Sequence, residues 1–88
     1  MKLPKTITVG PHEYTVRSLE HLGDNFGECH YESLEILISA QSAPSVQEET
    51  LWHEVVEAMN HTYEMNLPHR TIQVLGAAFY QALKSAKY

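Results

Sequence analysis

Glu49-Thr-Leu-Trp-His-Glu-Val-Val-Glu-Ala-Met-Asn60 is the stretch on which the fold turns. It lies within the longest helical pattern of the chain and carries His53, Glu54 and Glu57 in the order H-E-x-x-E. Four residues make about one helical turn, so His53 and Glu57 share a face. A helix uses that spacing to offer two ligands to one metal ion. Glu54 then stands beside the metal rather than on it, where a general base belongs. Leu51, Trp52, Val55, Val56, Met59 and Tyr63 recur at steps of three and four, which predicts a core-facing stripe.

On the N-terminal side, Ala40 to Pro44 reads as a linker. Ser45-Val-Gln-Glu48 has the form of a capping box, with serine at the N-cap and glutamate at N3. Glu48 and Glu49 suit the positive end of the helix dipole. The motif helix is therefore expected over 46–65, with Asn66 as a left-handed stop. Pro68 suits the first turn of a second helix over 68–86. Ile72, Leu75, Phe79, Ala82 and Leu83 fall on one side of that helix, and Trp52 and Phe79 are expected in the core. Gly76, Ala77 and Ala78 are small enough to let the helix approach a neighbour closely. Lys84 and Lys87 lie at its negative end.

The first forty residues carry the period of strands. Lys5 to Val9 and Glu13 to Arg17 alternate on either side of the turn signal Gly10-Pro11, which predicts a β-hairpin. Gly23-Asp24-Asn25 reads as a loop, Phe26 to His30 as a short strand and Tyr31-Glu32-Ser33 as a turn. Leu34-Glu-Ile-Leu-Ile-Ser39 is the strongest strand. The expected fold class is α+β: a small antiparallel sheet of three to four strands, a β-meander over 5–39, followed by two α-helices in one domain over 1–88.

Composition narrows the function. Eighty-eight residues support one small core. The net charge of −5 disfavours a nucleic-acid partner. No apolar run reaches the roughly 20 residues of a membrane span. Met1-Lys-Leu-Pro-Lys5 lacks the apolar segment of a signal peptide. The single cysteine, Cys29, excludes an internal disulfide framework. A cytoplasmic protein is expected, monomeric or homodimeric. Six histidines in so short a chain raise the question of metal.

A catalytic zinc site needs three protein ligands and one open position. His53 and Glu57 supply two. His61, His69, His30, His12 and His21 are candidates for the third. His61 shares the face of His53 but lies about 12 Å along the axis, too far to meet it on one ion. His69 opens the second helix after the Asn66-Leu67-Pro68 turn, on a face with Ile72, Gln73 and Gly76. In a straight antiparallel pair His69 would face Met65. The second helix must swing across the first for the site to close.

A β-meander, a capped helix with H-E-x-x-H and a second helix make up the minimal plan of zincin-like metallopeptidases, and the chain resembles that plan, above all as the small phage and bacterial minigluzincins and the immunity-region metallopeptidases show it. Thr50-Leu-Trp-His-Glu54 is similar to the opening of their motif helix, and Leu34-Glu-Ile-Leu-Ile38 to the strand before it. Their second histidine is Glu57 here. Their third ligand is a glutamate opening E-x-x-A/V-x-x-L/F-A, and His69-Arg-Thr-Ile-Gln-Val-Leu-Gly76 stands in its place. The ligand types are exchanged, but the set is still two imidazoles and one carboxylate. The resemblance implies Zn²⁺ on His53, Glu57 and His69, with Glu54 as the catalytic base of a peptidase. It also implies a peptide or protein substrate paired along a sheet edge, expected at Leu34 to Ser39. Tyr63, Tyr80 and His30 are the candidates for stabilising an oxyanion.

The plainer readings stand beside these. Glu57 can be a solvated surface residue, His69 a wet residue of a first helical turn, and His61 and His12 exposed. The alternative function is a zincin-fold remnant, without catalysis, that serves as a protein-binding module in phage or mobile-element biology.

Overall fold

Thr6–Val9 (β1) and His12–Leu19 (β2) pair antiparallel across Gly10-Pro11, with Val9 opposite His12 and Thr6 opposite Thr15. Gly10 takes a φ of +59°, the left-handed conformation such a turn asks of glycine. The computed structural model describes residues 3–86. Gly27–His30 (β3) and Glu35–Ser39 (β4) complete a four-stranded sheet in the order β1-β2-β4-β3.

This order corrects the expected meander. β4 pairs antiparallel with β3 but parallel with β2, so the sheet is mixed. The reason lies in β4 itself. Ile36, Leu37 and Ile38 are all buried, so the strand is apolar on both faces. Such a run belongs in the interior of a sheet, between two neighbours. β3, with only four residues, takes the exposed edge. The substrate edge expected at Leu34 to Ser39 is thus not an edge.

One sheet face carries Val9, Tyr14, Val16, Ile36 and Ile38, which form a single cluster with Leu51, Val55 and Ala58 of the first helix. That helix, α1, spans Pro44–Thr62 rather than 46–65. The capping box does not form. Ala43 is the N-cap and makes no side-chain cap bond. Proline has its φ preset for the first helical position, so Pro44 starts the helix early. Ser45 then falls inside the first turn and Glu48 beyond it. Glu48 is buried and accepts a hydrogen bond from Tyr80 Oη at 2.8 Å. After Thr62 the chain turns through left-handed Glu64 and Asn66. Asn60 Oδ1 accepts the Leu67 N–H at 2.8 Å and ties the turn to α1.

The second helix, α2, spans His69–Ala86. Pro68 stands just before it, its carbonyl accepting the Ile72 N–H. α2 packs on α1 and on no described strand, which gives three layers: sheet, α1, α2. Of α2, only Ile72 and Gly76 are buried. Phe79, expected in the core, is 44% exposed, and Leu83 and Tyr63 are exposed as well. The cause is the layer order. α1 alone covers the sheet, so α2 meets one neighbour and leaves much of its apolar side uncovered.

Gly76 sits where the helices touch. A Cβ there would lie 2.8 Å from His53 Cα and 2.9 Å from its backbone nitrogen. Gly76→Ala would gain about 1 kcal/mol of helix propensity. It would also force two backbones apart, at about 1–3 kcal/mol. We expect a net loss of stability, read as a lower urea midpoint. A raised midpoint would show that the helices part freely.

Candidate metal centre

α1 presents Glu49, His53, Glu57 and His61 at steps of four, hence on one face. β3 and the turns around it flank this face on one side, and the first half of α2 flanks it on the other. Between them lies a cleft of about 790 Å³. Residues 24–31 line one wall, His53, Glu54 and Glu57 the floor, and His69, Gln73 and Ala77 the opposite wall.

The three expected ligands converge there. One ligand atom from each of His53, Glu57 and His69 lies within 4.8 Å of the other two. His53 Nε2 is 3.9 Å from Glu57 Oε2. The two imidazoles meet edge to face, with centroids 5.8 Å apart and planes at 70°. Ligands at about 2.0–2.1 Å on a tetrahedral ion stand about 3.4 Å from one another. Closing on an ion therefore requires movements of about 1 Å, small for side-chain torsions. His53 and Glu57 are partly buried, and His69 is exposed. Two imidazoles and a carboxylate are a donor set suited to a divalent transition ion. These three side chains could hold a metal ion. Burial keeps the His53 imidazole below its ordinary pKa, against the pull of Glu57. The neutral ring is the form that binds a metal.

Glu54 lies beside them, only 6% exposed. Burial first, then the charges of Glu57 and Glu28, push its carboxyl up to about 7. The cover comes from β3. A Cβ on Gly27 would fall 3.2 Å from Glu54 Oε2 and 2.5 Å from Thr50 Cγ2. Only glycine lets the edge strand lie this close. Gly27 was not singled out from the sequence, although a glycine inside a strand is the usual sign of close approach.

The remaining candidates scatter. His12 and His21 are exposed and line no part of the cleft. His30 does line it, and its Nε2 is 2.8 Å from Glu28 Oε1. His61 is exposed, as expected, and its ring stacks on Tyr31 at 3.8 Å with planes 7° apart. Tyr63 stands outside the cleft at the β1–β2 turn, where its hydroxyl approaches Gly10. Tyr80 donates to Glu48 and in turn accepts from Lys84 Nζ at 2.9 Å. Cys29 is partly buried beside Glu54 and Glu57. Burial, then their charges, push its thiol up to about 12, so it remains protonated and inert.

No protein-family model, curated protein or solved structure matches the chain.

Glu54 makes the metal-free protein sensitive to pH. Its folded pKa, about 7, lies above the unfolded value near 4.5. The folded state is therefore favoured at low pH and loses stability as pH rises from about 4.5 to about 7, by about 3 kcal/mol in all. Glu54→Gln removes this dependence. Its melting temperature should exceed that of the parent at pH 8, and the gap should close near pH 4.5. A constant gap across that range would rule out a raised Glu54 pKa.

Proposed function

We propose that this protein is a small zinc-dependent peptidase of the minimal zincin type. The observation that carries the reading is the convergence of His53, Glu57 and His69 beside the buried Glu54, on the floor of a cleft walled by an edge strand. His53, Glu57 and His69 would hold the ion. A bound zinc supplies Lewis acidity and lowers the pKa of water in its shell. Glu54, with its carboxyl near 7, is suited to take a proton from water and return it to the leaving amine near neutral pH. β3 leaves one side unpaired toward the cleft, and an extended peptide could add to it by main-chain hydrogen bonds. That moves the expected substrate edge from 34–39 to Gly27–His30.

The second reading, a non-catalytic protein-binding module, draws on a different feature. Phe79 and Leu83 leave an apolar strip exposed on α2. The strip lies away from the cleft lining, so the two readings call on separate surfaces.

Metal content separates them. Protein purified without a histidine tag should hold about one zinc per chain by elemental analysis. His53→Ala and His69→Ala should each lower zinc affinity by 100-fold or more (on the order of 3 kcal/mol). Glu54→Gln should keep the metal and lose hydrolysis of a fluorogenic peptide library. Zinc without turnover in the parent protein would favour the binding module, and no zinc on addition would end the peptidase reading. Affinity should also fall once the pH drops far enough to protonate His53, whose imidazole burial holds below its ordinary pKa.

A further inference from the structure

We infer that Tyr31, steadied by His61, is the hydrogen-bond donor that meets a substrate oxygen in the metal cleft. The inference rests on the metal reading of His53, Glu57 and His69 and deepens it.

Tyr31 follows directly on the edge strand and lines the same cleft as the three ligands. Its ring lies flat on the His61 ring, 3.8 Å between centroids and 7° between planes. His61 is four residues beyond Glu57 on the same face of α1, so the stack holds the tyrosine about one turn from a metal ligand. A ring fixed between β3 and α1 in this way has little torsional freedom left to lose. The hydroxyl is close enough to Glu57 and Glu54 to feel their charges. Burial and those charges push the phenol up to about 12, so it stays protonated at neutral pH and can donate. Among the described residues the hydroxyl makes no hydrogen bond. Two side-chain donors on that wall are already engaged: Asn25 Nδ2 donates to Glu28 Oε2 at 2.9 Å, and His30 Nε2 is bonded to the other oxygen of Glu28. The cleft lining contains no lysine or arginine. A negative oxygen arriving beside the carboxylates of Glu54 and Glu57 needs a donor, and on the β3 wall Tyr31 offers a side-chain donor that is both held in place and unengaged.

Tyr31 would thus be a catalytic residue, since it touches the substrate, and His61 a positioning residue, acting through the ring stack. The alternative is that the pair serves only packing between β3 and α1. A binding measurement distinguishes these without requiring turnover. The full chain is loaded with Co²⁺, whose visible spectrum reports the site, and titrated with methylphosphonate, a small tetrahedral anion. Tyr31→Phe keeps the ring and the stack. We expect it to leave cobalt affinity and spectrum unchanged and to weaken methylphosphonate binding by about 10-fold or more, the loss expected for one hydrogen bond to a charged acceptor. His61→Ala should weaken phosphonate binding several-fold with Tyr31 intact. His61→Phe, which restores a flat ring, should recover it. Phosphonate affinity of Tyr31→Phe within twofold of the parent overturns the assignment while leaving the metal reading in place. A parent protein that binds cobalt but not phosphonate overturns it as well. A parent protein that binds no cobalt overturns the metal reading and this assignment together.

Discussion

The backbone contact of Gly76 with His53 is the constraint on which the candidate site depends. α2 touches no strand, so its position is set by α1 alone. Its buried residues are few, Ile72 and Gly76, and the second of these presses on the backbone of a candidate ligand. Near the other end, Tyr80 and Lys84 reach across to the buried Glu48. Two attachments, one steric and one polar, fix the helix against α1. They fix it at a distance from the sheet, and that distance is the cleft. His69 and Gln73 on one wall and β3 on the other face each other because α2 does not pack on the strands.

A second constraint works against stability. Glu54 is held under β3 by the approach of Gly27, next to Glu57 and near Glu28. Burying a carboxyl group among like charges raises its pKa and weakens the fold wherever the unfolded chain would ionise it. A divalent cation between His53, Glu57 and His69 would reverse the sign of that local field. Metal binding and folding would then be coupled, with the ion relieving a repulsion that the chain alone leaves in place. For a plain structural domain, glutamine at position 54 would fill the same volume without the charge. The cost of Glu54 is what makes the site worth testing as a reactive one.

Much of this was legible in the sequence, though unevenly. The hairpin at Gly10-Pro11, the two helices and the small-residue approach at Gly76 followed from local signals, because each depends on neighbours a few residues away. The step of four that joins His53 to Glu57 is also local. The sheet order was not. Strand pairing is decided between distant segments, and the only trace of it was the apolar run Ile36-Leu37-Ile38, which does not alternate and therefore marks an interior strand. The capping box failed because two start signals overlapped and Pro44 acted first. Phe79 and Leu83 read as core because amphipathic spacing reports an apolar side, not whether anything covers it.

Bringing His69 to the site was the step periodicity could not decide. Glu57 sits one turn from His53 on a rigid helix, so this pair is positioned by α1 alone, whichever side chain stands at 57. The third ligand comes from a separate element whose placement depends on the turn tied by Asn60 and Leu67 and on the contact at Gly76. An imidazole offers a ligand atom at a fixed distance from a planar ring, whereas a carboxylate reaches through more torsions and accepts either oxygen. Two imidazoles and one carboxylate, carried by two helices, converge within 4.8 Å because that turn and that contact bring His69 back over the face of His53 and Glu57.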